Sequence, residues 1–255
     1  GRVHFAGFLR GEELARAFRF VVPDRELVLD LVDKARFTRL ALAHDLPVPA
    51  AVALAPGDSC DIDLTFPGVV KPLTRHHNAW KPVSAQKAIQ IDAPRDLEPV
   101  VRRLHALDCD VLVQELIPGP ERLIESYHAY VNAAGEVVGE FSGRKIRTFP
   151  THHGYSTSLE TTDAPDVLAL GRDILQRIAF RNGVAKLDFK RHPATGALAL
   201  FEINPRFNLW HHLGAKAGVN LAYAVYADLT GLPMPPMGTA RAGVRWCNLP
   251  SDARA

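Results

Sequence analysis

The sequence predicts a mixed α and β protein, built as one domain with two lobes or as two small domains. Three observations lead there. Residues 183–206 read as two strands joined by a tight turn, with Pro193, Ala194, Thr195 and Gly196 supplying the turn chemistry. Along the rest of the chain, segments with apolar residues at helical spacing alternate with short apolar strands. A strand over residues 111–117 runs directly into Pro118-Gly119-Pro120, a natural junction between lobes. At 255 residues the chain can bury a large core.

Taken in order, residues 1–22 are weakly patterned and read as a leading segment. Asp24, after Pro23, is placed to cap a helix over residues 26–32. Asp33 is placed to cap a second, in which Phe37, Leu40, Ala41 and His44 recur at helical spacing. That helix stops before Leu46-Pro47-Val48-Pro49. Lys34 falls in its first turn, where the helix dipole disfavours a cation, so taken alone it reads as solvated. Residues 66–72 make a short buried strand ending in Lys71 and stopped by Pro72. An ammonium there is costly to bury unpartnered, and a phosphate oxygen suits it. Residues 73–86 are basic and loop-like (Arg75, His76, His77, Lys81, with Trp80 among them), and a strand resumes over residues 87–91.

An amphipathic helix over residues 95–106 carries Leu97, Val100, Val101 and Leu104 on one side, with Pro99 tolerable only in its first turn. Residues 124–132 and 136–141 form a hairpin around Ala133-Ala134-Gly135. Residues 141–158 are polar and read as a loop lining a cleft. A helix opens at Thr162-Asp163-Ala164-Pro165 and runs to Arg181, ended by Asn182-Gly183. Past the hairpin of residues 183–206 come a helix from about residue 220 to residue 230 and a strand near Gly243-Val244-Arg245-Trp246.

The hairpin of residues 183–206 carries the chemistry. Alternate residues of a strand share a face, so Lys186, Asp188 and Lys190 point one way and Leu187 and Phe189 the other. On the returning strand Glu202 and Asn204 share a face, and Phe201 and Ile203 take the opposite one. A turn that closes with Asp188 opposite Glu202 gathers two carboxylates and an amide oxygen. Like charges so placed repel unless a cation sits between them. A small set of hard oxygen ligands suits Mg2+ that substrate phosphates also hold. Arg206 follows at once, positioned to contact an anion. The apolar neighbours of Glu202 (Leu198, Leu200, Phe201, Ile203) argue for burial rather than a solvated surface pair.

Composition narrows the classes. The chain is 47% hydrophobic and 23% charged, as soluble globular proteins are. A net charge of +2 is too small to imply nucleic acid or a membrane surface as partner. Cys60, Cys109 and Cys247 lie far apart without CxxC spacing, which fits a reducing cytoplasm rather than a disulfide framework or zinc knuckle. No apolar run approaches the ~20 residues of a membrane span, and no signal-peptide pattern opens the chain. It begins at Gly1 without Met, as an excised domain would.

Taken together the residues resemble the ATP-grasp superfamily. The matching pieces are Asp33-Lys34, Val70-Lys71-Pro72, the run from Val113-Gln114-Glu115-Leu116-Ile117 through Pro118-Gly119-Pro120-Glu121, Leu187-Asp188-Phe189, and Phe201-Glu202-Ile203-Asn204-Pro205-Arg206. Within it the chain is similar to bacterial carboxylate–amine ligases, on Lys87-Ala88, the stretch Gly143-Arg144-Lys145-Ile146-Arg147 with Pro150, and Ala217-Gly218-Val219. The resemblance implies an α+β ATP-grasp fold with ATP between two lobes: residues 1–45 as leading segment and linker helices, 46–117 as small lobe, 118–255 as large lobe. It implies that Lys34 and Lys71 reach the phosphates, with Lys87 also on the nucleotide. Glu115 and the Leu116 backbone would bind adenine, and Glu121 the ribose. Asp188, Glu202 and Asn204 would hold Mg2+, and Arg206 would stabilise the transferring phosphate. The implied reaction joins an amino-acid-like carboxylate to an amine through an acyl phosphate, with no nucleic-acid or membrane partner. A nucleotide-binding module without ligase activity, and a carboxylase or kinase variant, stand as alternatives.

Two departures from the family pattern matter. No glycine lies between Lys71 and Lys87, so the phosphate lid would fall to Arg75, His76, Lys81 and Lys87. Little of the α/β domain that precedes the ATP-grasp part in full-length members fits ahead of Pro23. Among other residues, the pairs His76/His77, His152/His153 and His211/His212 lack metal-ligand spacing. His152 and His153 are expected to line the cleft for substrate, and His128 to be a satisfied structural histidine. One of Arg144, Lys145 and Arg147 is a candidate for a substrate carboxylate, against a solvated charge cluster. Trp210 and Trp246 are expected to pack.

Overall fold

The structure, a computed structural model, describes residues 11–73, 80, 83–84, 88–150 and 154–253. Helix α1 (Gly11–Ala15) leads into two capped helices. The Asp24 carboxylate accepts the N–H groups of Glu26 and Leu27, at 2.9 and 3.1 Å, and so starts α2 (Arg25–Val32). Asp33 ends that helix and starts α3 (Lys34–Ala43) by accepting the Arg36 N–H at 2.9 Å. The helix stops one residue short of His44, which caps its C-terminus.

The smaller sheet holds β1 (Ala51–Leu54), β2 (Gly68–Pro72), β3 (Ile89–Ile91) and β4 (Val111–Glu115) in the order β1-β4-β2-β3, all antiparallel. Its core joins Val70, Ile91, Val111 and Val113 to Leu97, Val101 and Leu104 of α4 (Leu97–His105). Pro99 lies in the first turn of α4, where a missing N–H costs nothing.

The larger sheet holds β5 (Ile124–Val131), β6 (Val137–Phe149), β7 (Tyr155–Thr162), β8 (Gly183–Arg191), β9 (Leu198–Asn204) and β10 (Arg245–Cys247) in the order β10-β7-β6-β5-β8-β9. One face buries Tyr127, Leu187, Phe189, Leu200 and Ile203 against α2, α3 and α5 (Pro165–Arg177). Each such large apolar side chain contributes about 1.5–3 kcal/mol on burial. The other face buries Tyr130, Phe141, Leu159 and Val184 under α6 (Trp210–Ala217) and α7 (Leu221–Thr230). A short helix, α8 (Leu249–Asp252), packs on β6 and β7.

Residues 141–158, expected as a cleft loop, are mostly strand: β6 runs on to Phe149 and β7 begins at Tyr155. The polar residues that suggested a loop are ones the sheet has paired. Arg144 lies on Glu160, and Arg147 on Asp252 of α8. Helix α5 ends at Arg177, with Ile178 as its cap, rather than reaching Arg181. No helix among the described residues is long and apolar enough to cross a membrane.

Candidate active site

Strand register builds the site in two rows across the larger sheet. In the first, Gly143 of β6, Ser126 of β5, Asp188 of β8 and Glu202 of β9 are successive cross-strand partners. In the second, Phe141, His128, Lys186 and Asn204 are. Directly paired residues point to the same face, so the expected meeting of Asp188, Glu202 and Asn204 on one side occurs. A bulge follows at once: Asp188 pairs Glu202 but Phe189 pairs Leu200, which takes Phe201 out of the ladder. Phe201 was expected simply to share the face of Ile203. Its ring instead meets Lys71 of the smaller sheet, whose Nζ lies 5.7 Å from the ring centroid. The two sheets thus approach each other where the carboxylates lie.

Asp188 is buried and already engaged. Lys186 Nζ donates to its Oδ2 at 2.6 Å, and Ser126 Oγ donates to Oδ1. Burial acts to raise its carboxyl, yet Lys186 and Lys145, with the two hydrogen bonds, hold it well below the usual carboxylate range. Asn204 Nδ2 donates to Glu202 Oε1 at 3.0 Å, and Arg206 Nη2 donates to Asn204 Oδ1 at 3.2 Å. The donor set fits a divalent cation of the Mg2+ kind: two carboxylates on facing positions and a carboxamide beside them, few and hard, leaving coordination for phosphate. Among the described residues no cluster of three His, Cys, Asp or Glu side chains gathers to hold a metal, so the fit depends on Asn204 joining the two carboxylates.

Cations surround the pair. Lys71 donates to Gln114 Oε1 at 2.7 Å, and burial lowers its ammonium to about 8, the charge of Glu202 pulling the other way. Lys190 is buried and lowered by burial, with Glu121 opposing and Lys145 reinforcing. Lys145 therefore reaches the field of both Asp188 and Lys190. Of the three basic candidates on β6 it is the one that faces the site, since Arg144 and Arg147 are spent on acidic partners.

Other expected site residues are placed as follows. Lys34 Nζ donates to the carbonyls of Pro72 and Leu73, the latter at 3.2 Å, just past the end of the strand that carries Lys71. Glu115 Oε1 accepts the Thr65 N–H at 2.9 Å, and the Leu116 N–H donates to the Pro67 carbonyl. Glu121 opens a 3-10 turn (Glu121–Leu123) beside Lys190. Lys87, together with Arg75, His76, His77, Lys81, His152 and His153, lies outside the described residues.

Sequence reasoning missed Ser126, whose role follows only from register, and misjudged the aromatic layer. His128, expected as a satisfied structural histidine, has no hydrogen-bond partner on either ring nitrogen among the described residues. It stacks on Phe141 with centroids 4.5 Å apart. Burial pushes it well below the usual histidine range. Trp210 does pack in the core, and its ring also lies 5.3 Å from Lys186 Nζ.

No protein-family model matches the sequence, and no curated protein matches it in sequence. Solved structures match it in shape. N5-carboxyaminoimidazole ribonucleotide synthetase from Thermus thermophilus superposes with a TM-score of 0.63 at 16% identity, over 85% of this chain and 57% of its own. L-amino acid ligase from Bacillus licheniformis gives 0.58 at 15%, over 78% and 48%. The biotin carboxylase domain of Hydrogenobacter thermophilus 2-oxoglutarate carboxylase, solved with MgADP, ADP and bicarbonate, gives 0.67 at 14%, over 90% and 51%. The chain has the ATP-grasp fold. At such identities the likeness establishes the ATP-grasp architecture alone. The chain spans about half the length of the solved proteins it matches.

Proposed function

We propose that this chain is the ATP-grasp core of an ATP-dependent carboxylate–amine ligase, ADP-forming, acting on amino-acid-like small molecules. The observation that carries the reading is the facing pair of Asp188 and Glu202, with Lys186 and Lys145 acting on Asp188, Lys71 on Glu202, and Arg206 on the neighbouring Asn204. Two acids among these cations suit a metal–polyphosphate complex better than they suit a structural ion-pair network. ATP would lie between a small lobe, residues 46–117, and a large lobe, residues 118–255, with residues 1–45 leading into them. Three free thiols (Cys60, Cys109, Cys247) support a reducing, cytoplasmic setting.

Phosphoryl transfer needs positioning and charge neutralisation more than a nucleophilic side chain. Lys71 contacts the phosphates, and Lys34 positions it by holding the strand end through the Pro72 and Leu73 carbonyls. Glu115 and the Leu116 backbone bind the adenine edge, Glu121 the ribose, and Lys87 the nucleotide. Asp188, Glu202 and Asn204 would hold Mg2+, which when bound neutralises phosphate charge. A substrate carboxylate oxygen attacks the γ-phosphorus, the bond to the β,γ-bridging oxygen breaks, and ADP leaves. Arg206 neutralises charge on the transferring group. The amine nitrogen then attacks the acyl carbon, the C–N bond forms, inorganic phosphate departs, and the nitrogen gives up a proton. The biotin carboxylase likeness supports one variant, in which bicarbonate is the carboxylate.

ADP release from MgATP should require both a carboxylate and an amine, in a panel of amino acids, dipeptides and bicarbonate read out with mass analysis of the product. If ATP binds and no mixture stimulates ADP release, the ligase reading falls and a bare nucleotide-binding module replaces it. Glu202→Gln should abolish turnover while leaving the thermal midpoint near that of the parent, because Gln keeps an acceptor for Asn204. A large drop in midpoint would make Glu202 structural.

A further inference from the structure

The chemistry above gives no role to the buried ammonium that sits on Asp188. Lys186 lies two positions before Asp188 on β8 and on the same face of the sheet. Its Nζ donates to Asp188 Oδ2 at 2.6 Å, and its side chain is only 11% exposed. The cross-strand partners of Lys186 offer no acid: they are His128 on β5 and Asn204 on β9. The Trp210 ring lies against the ammonium, with its centroid at 5.3 Å. Among the described residues the ion pair that Lys186 makes is the one with Asp188. Breaking such a buried pair leaves an uncompensated charge, so an arriving cation does not easily displace the lysine.

That limits what the carboxylates can hold. A carboxylate offers about four lone pairs on its two oxygens. On Asp188, Ser126 takes one at Oδ1 and Lys186 takes one at Oδ2. What remains suits one ion shared with Glu202, which lies directly opposite. Phosphoryl-transfer sites that use a pair of metal ions set them about 3.5–4 Å apart, which needs carboxylate oxygens open to both. Charge argues the same way. Lys186 and Lys145 act on Asp188, Lys71 acts on Glu202, and Arg206 stands on Asn204 beside them. These cations already outnumber the two acids. An anionic metal–nucleotide complex balances the excess, whereas a second divalent ion adds to it.

We propose that this site takes a single divalent cation, and that the Lys186 ammonium holds the position a second ion would occupy. Lys186 is a positioning residue: it acts through Asp188, neutralising one carboxylate oxygen and fixing the direction of the other. The inference rests on the metal–nucleotide reading of the site and goes beyond it by assigning the number of ions and the residue that sets that number.

The test is electron paramagnetic resonance of Mn2+ on the full chain with a non-hydrolysable ATP analogue, the bound metal being counted by equilibrium dialysis. The parent chain should hold one Mn2+ and give the spectrum of an isolated ion. Lys186→Met leaves the buried Asp188 without its counter-ion, and a second Mn2+ should take that place. The second ion should bind about a hundredfold or more tighter than to the parent. At about 3.5–4 Å from the first it should give a spin-coupled spectrum. Lys186→Arg, which keeps a cation, should return the count to one; a packing role would leave the Met variant like the parent. Two coupled ions on the parent chain overturn the proposal without needing any variant to fold, and leave the metal–nucleotide reading standing. A folded Met variant that holds one ion or none also overturns it. A parent chain that binds the analogue and holds no Mn2+ sinks the metal–nucleotide reading itself, and the proposal with it.

Discussion

Asp188 and Lys71 show how single residues set the site's electrostatics. Asp188 is kept ionised in a buried position because Lys186 and Ser126 bind it. A protonated acid there would be no metal ligand, so the second-row lysine maintains the first-row acid. Lys71 is the converse case, a cation whose burial lowers its pKa to about 8. Below that pH it is charged and attracts phosphate; above it the neutral amine must take up a proton before ATP can bind. The dissociation constant for ATP should therefore rise as pH climbs through about 8, by up to about tenfold per pH unit. Calorimetric titration across that range checks it, and Lys71→Arg should flatten the dependence because a guanidinium stays charged. An unchanged slope in that variant would assign the titration to another group. The residue types in this cluster were legible from strand alternation, except that period two says which residues share a face and not which strands are neighbours. Ser126 and Lys145 needed the neighbours.

At the scale of elements, α6 is the piece on which the site's aromatic layer depends. A Cβ on Gly214 would come within 2.3 Å of the Phe141 ring, so the helix sits on β6 at a distance only glycine permits. Gly214→Ala should cost about 1–3 kcal/mol in urea unfolding, since neither the ring nor the helix backbone is a flexible end. A neutral result would mean that Phe141 has room to rotate. This helix was not expected from the sequence. Its eight residues (Trp210–Ala217) carry two histidines, a glycine and a lysine, and its face becomes apolar only when Trp210 and Leu213 meet Phe141 and Leu159. Strands β6 and β7 were mistaken for a loop for a related reason. Arg144, Arg147 and Glu160 look solvated in a list of residues, and become strand positions once each has an ion partner on the next element.

Across the whole molecule, the two sheets and the leading helices converge on one place. Helices α2 and α3 pack on the larger sheet through Leu31 and Ala41. Lys34 at the start of α3 grips the smaller sheet at Pro72 and Leu73. The Leu200 N–H donates to the Pro47 carbonyl at 2.7 Å, fastening the chain between α3 and β1 to β9. Lys71 over Phe201 closes the arrangement. Lys34→Met should leave two carbonyls short of a charged donor and cost about 1–3 kcal/mol. Hydrogen exchange at residues 66–73 should then accelerate more than exchange in β5 or β8. Equal acceleration everywhere would mean that Lys34 supports the global fold and not the joint.

The sequence by itself determined the local elements whose signals are short-range: the Asp24 and Asp33 caps, the apolar strands and the β8–β9 hairpin, whereas the Asp188–Glu202 pairing came from the bulge that takes Phe201 out of the ladder. The caps, strands and hairpin follow from side-chain period and turn chemistry, which act over short range. The tertiary structure alone decided which strands flank that hairpin, and so brought Ser126, Lys145 and His128 to it. It also decided that Lys186 would engage Asp188, and that α6 would cover His128 and leave the His211 and Asn208 donors without acceptors among the described residues. Most of those outcomes depend on contacts between residues tens of positions apart in sequence, where loop closure and packing of the whole chain, rather than local propensity, select the partner.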